Sequence, residues 1–304
     1  MNLLVTGGAG FIGSHLTDAL IKEKHQVAVL DNLSTGRKEN LNSAAGFYQL
    51  DLEKDNLAGV FKKEKPAVVF HLAAQVNLRR SLENPVWDAE QNILGSLRLF
   101  EAAAKAGARR IIFISTGGAM CPSGPFPFKE TDQPSPLSPY GLAKLATENY
   151  FLNYYQKTRG IKTAVLRLAN VYGPRQDAKG EAGVVAIFRD RLKRNLPLLV
   201  NGHGRQTRDY IFVRDVVEGC LACLNKKAVG VFHLGTGQET TVNQIAAGLL
   251  SLSKSKVKIQ HGPAIVGEAL RSVLDPRKAK RVLGWQARVG LEEGMRRTWE
   301  DFRK

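Results

Sequence analysis

The sequence predicts an α/β protein, a doubly wound parallel sheet with a smaller α/β lobe beside it. Three observations carry that reading. Short apolar runs alternate with stretches of helical periodicity as far as Asn170, the order that builds βαβ units. A glycine-rich turn separates the first run from the first helical stretch. Beyond Asn170 the pattern loosens into shorter strands and helices.

Leu3-Leu4-Val5 opens the chain as a strand, Thr6 to Gly13 is the glycine turn, an amphipathic helix follows to about Lys24, and Val27-Ala28-Val29-Leu30 is a second strand ending on Asp31. The glycines at 8, 10 and 13 satisfy GxGxxG, and Gly7, Gly10 and Gly13 satisfy the GxxGxxG variant. Between a strand and a helix this is the fingerprint of a Rossmann-like dinucleotide site. The first pair permits a turn with positive φ, Gly10 lets a pyrophosphate approach the backbone, and Gly13 lets the helix lie close on the strand. Phe11 and Ile12 begin the helix, whose unpaired N–H groups face the phosphates. Asp31 is placed to accept hydrogen bonds from the adenosine ribose, and a carboxylate there repels a 2′-phosphate, so NAD is favoured over NADP.

Asn32-Leu33-Ser34-Thr35-Gly36 is a polar turn at the adenosine end, with Asn32, Ser34, Thr35 and Gly36 expected at the cofactor. A third strand, Gly46 to Leu50, delivers Asp51 and Leu52 to the adenine edge. Val68 to Leu72 reads as a fourth, buried strand in which His71 is a packed histidine; Leu72, Ala73, Ala74 and Gln75 then allow close approach to the cofactor. Pro85 to Ala106 is helical and includes Asn92, also expected at the cofactor. Arg109 to Ser115 is a fifth strand, Ser138 to Arg159 a long helix, and Lys162 to Leu168 a sixth strand that completes the sheet. Residues 1–170 form the NAD-binding domain on this reading, and 171–304 a substrate lobe over the sheet's carboxyl edge, with some segments returning to the first domain. Helices are expected over Val184 to Arg194, Asp215 to Lys226, Val242 to Ser253, Pro276 to Leu283 and Leu291 to Phe302.

Of the 304 residues 43% are hydrophobic, enough for a substantial core. No run approaches the roughly 18 apolar residues of a membrane span, and the first strand starts without a basic, apolar leader. Cys121, Cys220 and Cys223 make no disulfide framework, so a cytoplasmic protein is expected. The CxxC of Cys220 and Cys223 lies in a helical run without a second ligand pair, which reads as buried packing, and no metal is expected. The net charge of +16 attracts anions, but its short clusters read as solvated surface, and no basic and aromatic stripe marks a nucleic-acid groove.

Tyr140 and Lys144 open the long helix after Ser138-Pro139, four residues apart and so on one face. A phenol of pKa about 10 is a poor base at neutral pH, but a nearby ammonium and a cationic nicotinamide favour the phenolate. Tyr140 can then take a proton from a hydroxyl as hydride leaves the same carbon, with Lys144 holding the nicotinamide ribose. Placed after a nucleotide-binding βαβ unit and the fifth-strand Ser115-Thr116, this YxxxK is far more specific than the spacing alone.

These blocks, TGGAGFIG at 6–13, DNLSTG at 31–36, HLAAQ at 71–75, STGGA at 115–119, SPYGLAK at 138–144 and NVYGPRQ at 170–176, continue with GEAGVVAIF at 180–188, QTRDYIFVRDVV at 206–217 and the closing RSVLD and LGW. Over nearly its whole length the chain resembles the extended short-chain dehydrogenases/reductases, and within them the nucleotide-sugar epimerases of the UDP-glucose 4-epimerase type. The resemblance implies oxidation of a UDP-sugar at C4 with bound NAD, rotation of the 4-keto sugar and return of hydride to its other face. It implies Thr116 hydrogen-bonding the sugar O4, Tyr140 as base with Lys144 as electrostatic partner, and Asn170 and Arg208 on the substrate diphosphate. It further implies a homodimer paired through the helices at 85–106 and 138–159, where Phe100, Phe151 and Tyr155 are candidates for the interface or for the core.

Three departures stand out. Met120-Cys121-Pro122 replaces the family's Val-Tyr-Gly after the catalytic hydroxyl. Ile265 stands two residues before Gly267-Glu268 where many members carry arginine, removing a diphosphate contact of about 1.5–3 kcal/mol for which Arg271 is the candidate replacement. Arg214 takes the place of an aspartate. Ser272 falls where the family sets room around the sugar C2 substituent, and a small residue there suggests that an N-acetyl group fits. Gly117-Gly118 offers no acid/base pair for a 4,6-dehydratase. Decarboxylation or epimerisation of UDP-glucuronate stays open, as does a non-catalytic NAD- or RNA-binding role.

Overall fold

The structure, a computed structural model, describes residues 1–120, 124–178, 183–225, 227–265 and 269–301. The strands of the first half are β1 (Asn2–Thr6), β2 (Gln26–Asp31), β3 (Gly46–Gln49), β4 (Val68–His71), β5 (Arg110–Thr116) and β6 (Lys162–Leu168). Then come β7 (Asn170–Tyr172), β8 (Leu198–Asn201), β9 (Thr207–Arg208), β10 (Tyr210–Phe212), β11 (Gly230–Leu234), β12 (Thr240–Thr241) and β13 (Ile259–Gly262). The main sheet has seven parallel strands in the order β11-β6-β5-β4-β1-β2-β3. Strand order reverses between β1 and β4, so the crevice of this open sheet lies at their carboxyl ends.

The sixth strand therefore does not complete the sheet. β11 returns from far along the chain and pairs with β6, Phe232 opposite Leu166, covering an edge that would otherwise be unpaired. The short run Val231 to Leu234 shows a strand but not which sheet it joins, because partner choice depends on where the preceding helix docks.

The helices are α1 (Phe11–Lys22), α2 (Ala58–Glu64), α3 (Leu78–Glu83), α4 (Pro85–Ala89), α5 (Gly95–Lys105), α6 (Pro139–Asn149), α7 (Gln156–Arg159), α8 (Val184–Lys193), α9 (Val213–Ala222), α10 (Val242–Ser253), α11 (Arg277–Leu283) and α12 (Leu291–Asp301). Both faces of the sheet are covered, as parallel strands require. Leu3, Val5, Phe70 and Ile112 face a core shared with α1 and α9, where Cys220 and Cys223 are buried free thiols. Leu4, Val69, Ile111 and Phe113 face the opposite core, shared with α2, α5 and the turn at Tyr150–Tyr155 that follows α6. Phe100, Phe151 and Tyr155 belong to that second core, buried against the sheet, and so are not interface residues. A third core, with Phe188, Leu198, Ile245 and Met295, holds α8, α10 and α12 together.

Each long helix of the second layer contains a π-helical turn, Glu90–Leu94 between α4 and α5 and Tyr150–Tyr155 between α6 and α7. Both helices start on sequence signals. Asn84 caps α4 and Ser138 caps α6, each with proline at the next position. Among the described residues no helix is long and apolar enough to cross a membrane, and no group of three His, Cys, Asp or Glu side chains could hold a metal.

One buried ion pair locks α6 to the sheet. Arg167 of β6 reaches Glu148 of α6 at 2.7 Å, and Ser115 Oγ donates to the same carboxylate. Removing one partner strands a buried charge, so Arg167→Ala should lower the unfolding free energy by about 3–5 kcal/mol, read from urea unfolding of the two proteins.

Candidate active site

The glycine turn is built by close approach. Gly7 adopts φ of +71°, and a Cβ there would lie 2.8 Å from the Ala73 nitrogen, so the turn touches the chain leaving β4. A Cβ on Gly13 would lie 2.1 Å from the Gly7 carbonyl oxygen. What Gly13 makes room for is thus the turn itself rather than the strand. α1 begins at Gly10 with no side-chain cap, leaving the first-turn N–H groups, those of Phe11 and Ile12 among them, without a side-chain acceptor. Such a helix end suits a phosphate.

Asp31, buried at the end of β2, is oriented by backbone donors. Its Oδ2 accepts from Ala9 N at 2.9 Å and its Oδ1 from Leu33 N at 2.8 Å. Gly36 packs against it, where a Cβ would come within 2.8 Å of Oδ1. Asn32 donates to Asp51 Oδ2 at 2.9 Å and accepts from Ser34 N, tying the loop after β2, which holds Ser34 and Thr35, to the loop after β3, which holds Leu52.

His71 is closed into a chain of hydrogen bonds. Ser96 Oγ donates to the Asn92 carbonyl, so His71 Nε2 donates to Ser96 and Nδ1 accepts from Thr6 Oγ1. Burial first, then the Lys144 charge, lowers its pKa to about 3. It is a neutral packing residue. Beyond Leu72, Ala73 and Ala74, Gln75 N donates to Asn92 Oδ1, while Asn92 Nδ2 donates to Gln75 O and to Asp88 Oδ1. Gln75 Nε2 also reaches Asp88 Oδ1, at 2.7 Å. The π turn around Asn92 presents its carbonyl to Thr147 Oγ1 of α6 at 3.1 Å. Nothing in the sequence singles out Asp88, an isolated acid in a helical stretch.

Thr116 ends β5, its Oγ1 accepting from Ala119 N at 3.4 Å. Lys144 turns inward from α6 and is 3% exposed. Its Nζ donates to the Ile114 carbonyl of β5 at 3.0 Å, lies 4.7 Å from the Phe113 ring centroid and 6.0 Å from that of Tyr140. Lys144, with Tyr140 one turn before it, thus docks α6 on the carboxyl half of β5, the strand that ends at Thr116. Burial lowers the Lys144 pKa to about 8, with Glu148 and Asp88 opposing. Burial, then the Asp88 charge, pushes the Tyr140 phenol well above its ordinary range. Desolvation thus opposes the phenolate that the ammonium and the nicotinamide cation together are expected to favour.

The substrate candidates divide between two faces of one ribbon. Thr207 N donates to Leu270 O, Ser272 N to Thr207 O and Asp209 N to Ser272 O, so 207–209 runs alongside 270–272. Asn170 N donates to Asp209 O at 2.8 Å. Ser272 Oγ and Asn170 Oδ1 lie 3.7 and 3.9 Å from where a Gly118 Cβ would stand, converging two residues after Thr116. Arg208, opposite Thr240 of β12, donates to the Thr207 carbonyl at 2.9 Å. Arg271 points outward, because neighbours on an extended chain face opposite ways. Its Nη2 and Nε donate to Glu239, at 2.5 and 3.1 Å, and its guanidinium lies 5.4 Å from the Phe126 ring. It does not join Asn170 and Ser272. The ribbon depends on Asp209, which the sequence reading missed: buried, it accepts from Thr236 N, Thr236 Oγ1 and Gly237 N.

Of the departures, Met120 is buried against Phe128 and Leu274, while Cys121 and Pro122 lie outside the described residues. Ile265 is exposed, and Gly267 and Glu268 also lie outside. Arg214 is exposed in the first turn of α9.

The family model of NAD-dependent epimerase/dehydratase proteins matches residues 3–235. UDP-glucose 4-epimerase of Mycolicibacterium smegmatis is 42% identical over 310 residues, covering 100% of this chain and 99% of that protein. The crystal structure of UDP-glucose 4-epimerase with UDP-glucose from Thermotoga maritima superposes with a TM-score of 0.96 at 46% identity, covering 100% of this chain and 99% of that one. The Thermus thermophilus UDP-glucose 4-epimerase in complex with NAD gives 0.94 at 40% identity, with the same coverage.

The Gly7 and Gly13 geometry makes a direct prediction. A methyl at residue 13 displaces the Gly7 carbonyl and the turn with it, so Gly13→Ala should weaken NAD binding about tenfold or more, read by calorimetric titration of both proteins.

Proposed function

This chain belongs to the NAD-dependent epimerase/dehydratase family, and on that premise we propose that it is an NAD-dependent UDP-sugar 4-epimerase interconverting UDP-glucose and UDP-galactose. The observation that supports the reading is the docking of Lys144 on the Ile114 carbonyl, which fixes the helix that carries Tyr140 against the strand that ends at Thr116. The turn fits the pyrophosphate of NAD, with an uncapped helix end and no side chain in the way; Asp31 fits the adenosine ribose and Lys144 the nicotinamide ribose. Held there, NAD would supply reversible hydride exchange with C4 of the sugar, with no net redox change, and a positive charge that would favour the Tyr140 phenolate.

The chain's own residues manage the proton and the sugar. Tyr140 accepts the proton of the 4-hydroxyl and gives it back after the 4-keto sugar has turned. Thr116 hydrogen-bonds O4 throughout and keeps it aligned with Tyr140. Lys144 supports the phenolate by its charge. Asn170 and Arg208 hold the diphosphate, the arginine fork matching phosphate oxygens, so the sugar can rotate while the nucleotide stays anchored. Gly118 and Ser272 put little bulk beside Asn170, which supports acceptance of a 2-acetamido sugar as well.

Incubation with UDP-galactose, UDP-glucose, their N-acetyl forms and UDP-glucuronate, resolved by chromatography and mass spectrometry, tests this. A product of unchanged mass and new retention is expected from the first four, and Tyr140→Phe should slow it about 10²–10⁴-fold. Release of carbon dioxide from the glucuronate, with no epimer from the others, would overturn the assignment.

We also propose a homodimer through the outer face of the second helical layer. Val86, Leu94, Leu142, Tyr150 and Tyr154 are exposed there, an apolar face of the kind that marks an interface. Light scattering should give twice the chain mass, and Leu142→Glu should shift the species toward one chain.

A further inference from the structure

Asp88 is an acid that this reaction, as set out, leaves without a role. It lies on α4, 0% exposed. Its Oδ1 accepts from Gln75 Nε2 at 2.7 Å and Asn92 Nδ2 at 3.0 Å, whereas its Oδ2, equally buried, has no hydrogen-bond partner among the described residues. A bare buried carboxylate oxygen is costly and calls for a reason. The charged and titratable groups around it are few. Burial raises the Asp88 pKa, while the Gln75 and Asn92 hydrogen bonds and the Lys144 charge, from α6, lower it, and Asp88 acts in turn on Lys144 and Tyr140. Glu148, the other carboxylate acting on Lys144, is occupied by Arg167 and Ser115. His71, from β4, is neutral and closed by Thr6 and Ser96.

We propose that Asp88 is a positioning residue for the catalytic pair: one oxygen braces Gln75 and Asn92, and the other, buried without a hydrogen-bond donor on a helix packed against α6, sets the field in which Lys144 and Tyr140 ionise. This rests on the roles assigned to Tyr140 and Lys144 above. One anion acts on both groups with the same sign, disfavouring the phenolate and favouring the ammonium. Its removal therefore moves both ionisations to lower pH. The directions agree, since Asp88 works against burial at Lys144 and with burial at Tyr140.

Asp88→Asn keeps an acceptor for Gln75 and Asn92 while removing the charge. Its bell-shaped pH profile for UDP-galactose turnover should move as a whole toward acid by about half to one pH unit, while Asp88→Glu keeps the bell in place. In NAD-bound protein without sugar, where the nicotinamide charge would oppose burial, the phenolate absorbance of Tyr140, isolated by subtracting the matching Tyr140→Phe protein, should rise at lower pH in Asp88→Asn than in the unaltered chain. A bell that changes height but not position, with an unmoved phenolate titration, would reduce Asp88 to a packing residue and overturn the proposal. If the unaltered chain turns over none of the UDP-sugars, the enzymatic reading fails, and the phenolate titration still decides the charge effect of Asp88. Should Asp88→Asn not fold, Asp88→Ser removes the same charge with less bulk and carries both readouts.

Discussion

The hydrogen bond from the Lys144 ammonium to the Ile114 carbonyl is the constraint on which the rest of the site depends. A buried ammonium must be satisfied, and the acceptor it finds is a strand carbonyl near the centre of the sheet. That choice fixes the face of α6. Tyr140, Lys144 and Glu148 recur every four residues along it, so once Lys144 is docked, Tyr140 is carried to the sheet edge and Glu148 to Arg167 and Ser115. The Ser138 cap decides where that helix begins, and hence how far Tyr140 stands from Thr116.

Burial supplies the rigidity of this arrangement and also works against its charges. It weakens Lys144 as a cation and Tyr140 as an acid, with Asp88 opposing burial at the lysine and reinforcing it at the phenol. The polar residues around it are held rather than free. Gln75, Asn92 and Asp88 bond one another, and the π turn at Asn92 spends its carbonyl on Thr147 and Ser96. A local departure from α-helical pairing at a functional position is a common way to redirect one backbone group.

The residues past Asn170 are organised on a smaller scale by Asp209, whose carboxylate gathers the turn at Thr236 and Gly237 and whose backbone joins Asn170 to the extended segment at Ser272. The alternation of an extended chain then separates neighbours. Ser272 faces Gly118 and Asn170, while Arg271 is committed to Glu239 outside. Arg271 and Ser272 therefore serve opposite sides of the same extended segment.

By itself the sequence determined the local features. The βαβ alternation, the strand-turn-helix glycine fingerprint, the proline and cap at 138–139 and the four-residue step from Tyr140 to Lys144 are all set by near neighbours, through period, φ and capping chemistry. Only the tertiary structure decided what long-range packing controls. β11 closes the sheet because of where α9 docks on α1, Phe100 and Phe151 turn into the core because their helices face the sheet, and Asp88 becomes significant only when folding buries it near Lys144. The ionisation of Tyr140 belongs to this second class for the same reason. Desolvation is a property of the surroundings, and the residues that supply them lie on other elements, invisible to any reading that follows the chain in order.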